Sequence, residues 1–326
     1  MSFLPSAKHP LAADLWPENV SSIIQSRTDV SSLQQWECFP RSLEHMVQWA
    51  AVARDPASTD KSRSHMLVYK TLSATEQTTI LYPISVRVYG YLHGKFALGD
   101  VGDWDGDVNK VSYAMQHLTL SSGGHSVAWQ NQLDRLNLAA NFASRTLKLP
   151  LRSVQFHHRL YLQRKVFFKC DGVRLDSDTT PQTTSPTFSS QCPDLPAMPG
   201  YPWKWNGAIE LLAMDDASVI SRIHEISLAG GDLVEVDAEF NLVISCARSQ
   251  TACLRVFLTC KQVLHLQEKR SNLISTAPTL DSNTRIVKRM RTTKPTVETA
   301  SPLHTEIKSP VMTPELPVME SPATDV

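Results

Sequence analysis

The sequence predicts an α+β domain with a largely antiparallel sheet, flanking helices, a helical N-terminal region and a disordered C-terminal tail. Three observations carry that expectation. Apolar and polar residues alternate with period two around Ile84–Tyr89 and Val234–Phe240, the signature of half-buried strands. Apolar residues recur at helical spacing from Leu43 to Ala51 and from Leu133 to Phe142. After Phe257 there is no further aromatic residue, and from about Ser271 the chain is polar and punctuated by proline. These shifts divide the chain into a helical region 1–75, a core domain 76–270 with a mobile loop 171–202, and a tail 271–326.

Within the first region, Pro17 can open a short helix through Ile23 and Ile24. A firmer helix starts near Pro40, carries Leu43, Met46, Val47, Ala50 and Ala51 on one stripe, and ends by Asp55-Pro56. In the core, Ile84, Val86 and Val88 mark a strand, with a bend framed by Gly90 and Gly94. A helix is expected from about Gln130 to Leu147, closed by Pro150, and a strand through Val154, Phe156, His158 and Leu160. Beyond the Ser/Thr/Pro-rich loop, Gly207–Met214 reads as a strand and Val219, Ile220, Ile223 and Ile226 as a helical face capped by Asp215 or Asp216. Val234, Val236, Ala238 and Phe240 then face one way, with Glu235, Asp237 and Glu239 the other, and Cys253–Leu266 forms the last strand.

Composition sets limits on function. The chain is 42% hydrophobic and 20% charged, and its 32 Lys and Arg balance 32 Asp and Glu, so no global field draws it to nucleic acid or anionic lipid. Any such contact must come from a local patch. One lies in the tail, where Arg285, Lys288, Arg289, Arg291 and Lys294 resemble a nuclear-import signal. Past it the charge turns acidic and four proline-directed sites follow, at Ser301, Ser309, Thr313 and Ser321. Phosphate there would deepen the charge contrast by about −1.5 to −2 per site. The six cysteines form no C-x-x-C pair, no signal peptide is visible, and no apolar run approaches the ~20 residues of a membrane helix, so the expected compartment is reducing.

Chemical motifs are sparse. Asp103, Asp105 and Asp107 mimic the start of a calcium loop, but Val108 and Ala114 occupy its glycine and glutamate positions, leaving a solvated turn. His157-His158, read on a strand, would point to opposite faces and could not share a metal. There is no G-x-S-x-G, phosphate-binding or dinucleotide-binding loop. The expectation is a non-enzymatic protein with no cofactor and no metal. Two contact surfaces stand out. Tyr201, Trp203 and Trp205 read first as a local core anchor and second as a membrane or partner contact. Arg159, Arg164, Lys165 and Lys169 could form a phosphate-facing strip for nucleic acid or, more simply, the wet face of a strand.

The segment from Cys192-Pro193 through Trp205-Asn206-Gly207-Ala208-Ile209-Glu210-Leu211 to Asp215-Asp216-Ala217-Ser218 resembles the C-terminal half of rhabdovirus matrix proteins, in which such a strand precedes acidic residues and a helix. The resemblance covers about a third of the chain, and it departs from the family in its neutral charge and its lack of a P-P-x-Y or P-T/S-A-P motif. It implies a structural protein that bridges nucleocapsid or RNA to an anionic membrane surface, self-associates, and reaches the host nucleus through an import receptor bound to its tail, as in a plant rhabdovirus. Host nucleus and cytoplasm, peripheral membrane and virion are the implied locations. Gly94-Lys95-Phe96-Ala97-Leu98-Gly99-Asp100 is similar to a segment of plant-virus movement proteins, which implies single-stranded nucleic-acid binding and plasmodesmal location. A cellular nuclear adaptor regulated through its tail is the third expectation.

Overall fold

The computed structural model describes residues 1–56, 63–70, 80–152, 155–169, 203–215, 218–246 and 251–268. The chain divides into two units, Met1–Asn272 and Leu273–Val326, and every described residue lies in the first. The tail's basic cluster and Ser/Thr-Pro sites, together with the whole 171–202 loop, lie outside the described residues.

In chain order the elements are β1 (Ser2–Phe3), α1 (Glu18–Ser26), α2 (Leu43–Trp49), β2 (Ala50–Arg54), β3 (Ser64–Tyr69), β4 (Ser85–Leu92) and β5 (Met115–Ser121). Then come α3 (Ser126–Leu147), β6 (Leu160–Lys165), β7 (Phe167–Lys169), β8 (Trp203–Trp205), β9 (Glu210–Met214), β10 (Ile220–Arg222), β11 (Leu233–Ser245) and β12 (Cys253–Gln267). The result is a large, mostly antiparallel sheet with few helices, as expected.

Five of these strands close on themselves. β4 pairs with β5, β5 with β6, β6 with β12, β12 with β11, and β11 returns to β4. All contacts in this ring are antiparallel except β6–β12, which is parallel. Alternation makes the ring possible, because every second side chain points inward. Val86, Val88, Leu118, Leu120, Leu160, Leu162, Val236, Ala238, Val256 and Leu258 are all buried in the resulting core. Full burial of each large apolar side chain contributes about 1.5–3 kcal/mol.

The ring is longer on one side than the other, and the chain must satisfy the edge that β5 leaves bare. β5 reaches only Tyr91 and Leu92 of β4. Further down, the Gln132 amide on α3 donates to the Tyr89 carbonyl and accepts from the Tyr89 N–H, both at 2.9 Å. Lower still, β1 pairs in parallel with Val86 and Arg87. Three different devices thus cover one strand edge, as buried backbone polar groups require. Gly90 lies within β4 rather than at a bend, and a Cβ there would stand 2.9 Å from the Trp129 ring. The bend falls at Gly94, with φ of 70°.

Several expectations are corrected. The helix expected around Val219–Ile226 is absent: β9 and β10 form a hairpin, followed by a 3-10 turn at Glu225–Ser227. Asp215 does not cap a helix there but accepts from the Val219 N–H at 2.8 Å, closing the turn. Val and Ile suit strands as well as helices, so a short apolar run does not distinguish them. α2 stops at Trp49, and Ala50 and Ala51 open β2 instead. The N-terminal region is therefore only partly helical, because β1, β2 and β3 join the main sheet. His157 and His158 are exposed and precede the strand, which starts at Leu160; likewise β9 starts at Glu210, not Gly207.

Candidate nucleic-acid interface

The outer surface of the ring has two sides of opposite character. On β4 and β11 the outward residues are covered by the N-terminal segment. Phe3, Leu11, Ala13, Trp16, Val20 and Ile24 pack on Tyr89, Leu233, Leu264 and Leu266. Under that cover lie charges. Arg27 meets Glu235 at 2.7 Å, and the Arg87 Nε stands 3.0 Å from Glu235 and 3.3 Å from Asp237. Burial pushes the Asp237 carboxyl up to about 6, with Arg87 opposing the shift. Desolvation works against the Arg87 charge too, but Glu235 and Asp237 outweigh it and hold its pKa up. Every charge here has a partner, as burial demands. The cavity beside it, lined by Leu11, Trp16, Arg87, Tyr89 and Gln132, is about 10 Å³, room for no more than about one water, so this cluster fastens a segment rather than binding a ligand.

The β12–β6–β5 side is open. Register fixes its rows. Thr119 pairs with Tyr161, His117 with Gln163 and Met115 with Lys165 across β5–β6. Leu258 pairs with Leu162 across β6–β12, which sets outward Phe257 beside Tyr161. Earlier in β12 the partner is another segment, with the Leu254 N–H donating to the Pro150 carbonyl and the Val256 N–H to Gln155 Oε1. Tyr161 is 48% exposed although its neighbours Leu160 and Leu162 are buried. The Tyr161 and His117 rings lie 5.9 Å apart at 32°, and the Arg255 guanidinium sits 5.8 Å from the Phe257 ring centre. Partial burial, and then the charge of Asp103, raise the Tyr161 pKa, so its ring is neutral at physiological pH. Arg159, Lys165 and Arg255 are exposed and have no carboxylate partner among the described residues. Lys261 is paired with Glu239 at 3.0 Å.

The four basic residues singled out from the sequence are thus not one strip. Arg159 and Lys165 belong to the open face. Arg164 points the other way: it occupies the inward position paired with Gln116, donates to the Asn206 carbonyl, and has its pKa lowered by desolvation. Lys169 ends β7 in the separate two-stranded sheet β7–β8.

Trp203 and Trp205 pack against a small cluster of Val111, Ala114, Val166 and Phe167, and Trp205 Nε1 donates to the Asp100 carbonyl at 2.9 Å. Tyr201 lies outside the described residues. The Asp100–Asp107 run is a braced loop, with Asp103 accepting from the Met115 N–H at 2.7 Å and Asp105 paired with Lys110. No group of three His, Cys, Asp or Glu suited to a metal occurs among the described residues.

Sequence reasoning passed over Tyr161, His117, Phe257 and Arg255. Their signal was the alternation along Met115–Ser121, past Leu160 to Lys165 and along Cys253–Lys261, which sets each of them between buried residues of the opposite face.

No family model matches the chain, and no curated protein does. Among solved structures, similarity is found to the crystal structure of gp2.5, a single-stranded DNA binding protein encoded by bacteriophage T7. The identity is 8%, the TM-score 0.33, and the match covers 63% of this chain and 100% of that one. At that level the likeness carries no weight for fold or function.

Proposed function

We propose that this protein binds single-stranded nucleic acid on the open β12–β6–β5 face. The observation that carries the reading is an aromatic surface, exposed Tyr161 with half-buried His117 and Phe257 beside it, flanked by Arg159, Lys165 and Arg255, none of which has a carboxylate partner among the described residues. Unstacked bases gain from aromatic platforms and phosphates from flanking cations, without regard to sequence. β5 and β6 are the second and third strands of the ring in chain order, and on five-stranded Greek-key barrels that face binds oligonucleotides. The chain's zero net charge fits a local rather than global attraction.

Of the roles implied by resemblance, cell-to-cell movement of a viral genome uses this activity most directly. A matrix role could use the same face for nucleocapsid RNA. Its membrane contact would need other residues than Trp203 and Trp205, which are engaged in the small cluster.

Fluorescence anisotropy with the full chain should show a labelled single strand of about 20 nucleotides binding well ahead of the matching duplex. The double variant Tyr161→Ala, Phe257→Ala should weaken that binding by about tenfold or more while melting like the parent. Equal affinity of parent and variant would overturn the reading.

A further inference from the structure

The charges on the open face are not spread evenly. Along β6 the outward residues run Tyr161, Gln163 and Lys165, with exposed Arg159 just before the strand, and along β12 they run Arg255, Phe257, Thr259 and Lys261. Free cations stand at the two ends: Arg159 and Arg255 at one, Lys165 at the other, where Lys261 is held by Glu239. The middle rows, Phe257–Tyr161 and Thr259–Gln163, hold no ionised side chain of their own, and β5 adds Thr119 and His117, whose Nδ1 lies 4.0 Å from an Asp103 carboxylate oxygen at the margin. From Arg159 to Lys165 the extended chain covers about 20 Å.

We propose that this face takes a tract of about four unpaired nucleotides laid along β6 and β12, an inference that rests on the nucleic-acid reading above. Its phosphates are held at both ends, and its bases lie on Phe257, Tyr161 and His117 in the middle, where the neighbouring Asp103 carboxylate disfavours phosphate but can accept from base amino groups. A duplex cannot use that middle, because its base faces are already stacked. Gln163 and Thr259 offer neutral donors and acceptors to base edges of any identity, so the tract is defined by being unpaired and not by its sequence. The division of labour is the distinctive feature. Affinity from the ends falls with salt, whereas affinity from the middle does not.

The closing experiment separates the two contributions. Full-length protein is titrated with labelled oligothymidylate of about four nucleotides, intact or abasic at its two central positions, over a range of salt. With three phosphate contacts, log K against log salt should fall with a slope of about −2 for either strand, since each contact adds about −0.7. The abasic strand should bind about tenfold or more weaker at every salt. Arg159→Ala, Lys165→Ala and Arg255→Ala should each flatten the slope by about 0.7, whereas Tyr161→Ala should lower affinity and leave the slope alone. Equal binding of intact and abasic strands with that slope would overturn the stacked tract while leaving nucleic-acid binding standing. Failure of both strands and of longer single strands to bind at low salt would overturn both.

Discussion

The covered side of the ring and its open side are written in the same kind of sequence and meet opposite fates. On β11, Glu235 and Asp237 alternate with Val234, Val236 and Ala238; on β6, Tyr161, Gln163 and Lys165 alternate with Leu160 and Leu162. Either pattern predicts a dry inner face and a wet outer one. Yet Glu235 and Asp237 are 3% and 5% exposed, whereas Tyr161 is 48% exposed. The comparison teaches that alternation separates two faces of a strand but does not say which elements come to lie on the outer one. A segment more than two hundred residues away in the chain, around Phe3 to Arg27, converts a polar face into a buried ionic layer. Nothing described does the same for β5 and β6.

The sharpest way to break this contrast is to remove one charge from each side. Arg87→Met leaves Glu235 and Asp237 buried with one cation fewer, and should cost about 3–5 kcal/mol in urea unfolding. Arg159→Ala on the open face should stay within about 0.5 kcal/mol of the parent. Comparable losses would mean that the two sides do not differ in the way described.

A smaller effect tests the covered side through pH. The folded pKa of Asp237, about 6, lies above the ordinary value of 3.8, so the folded state holds this proton more tightly. Its contribution to stability is therefore fully present below about pH 4 and is lost as pH rises through 6. Relative to Asp237→Asn, the parent should lose on the order of 2–3 kcal/mol between pH 4 and pH 8. A pH-independent gap between the two proteins would show that the carboxyl is not desolvated as its surroundings indicate.

The smallest expected change is on the open side. Tyr161→Ala should move the unfolding midpoint by no more than about 0.5 kcal/mol, because the ring packs mainly on His117. A loss of several kcal/mol would make Tyr161 a packing residue and remove the strongest reason for treating this face as a binding surface.

Local pattern was enough to find three of the five strands that build the ring, whereas β5 was not picked out and the strand read through Val154–Leu160 ends where β6 begins. Val86 and Val88, Val234 to Phe240, and Cys253 to Leu266 were legible because β-branched and apolar residues at period two have one good use. The long helix was legible over most of its length for the same reason at period 3.6. Where pattern was short it misled: Val219, Ile220, Ile223 and Ile226 keep a helical spacing but are all β-branched, and the turn closed by Asp215 decided for a hairpin. The candidate site was half legible. Arg159 and Lys165 could be picked from their charge, but Arg164, one residue from Lys165, faces inward to Gln116, and only strand register reveals that.

By itself, then, the sequence determined that β4, β11 and β12 are strands, which side of each is apolar, and that no global charge drives binding. It could not determine ring closure, since the parallel β6–β12 contact joins residues almost a hundred positions apart and leaves no local trace. Nor could it say which outer face would be sealed. Both depend on long-range packing, where burial of Phe3, Trp16 and Ile24 against β4 and β11, and not any propensity of the strands themselves, separates the buried ionic layer from the open aromatic one.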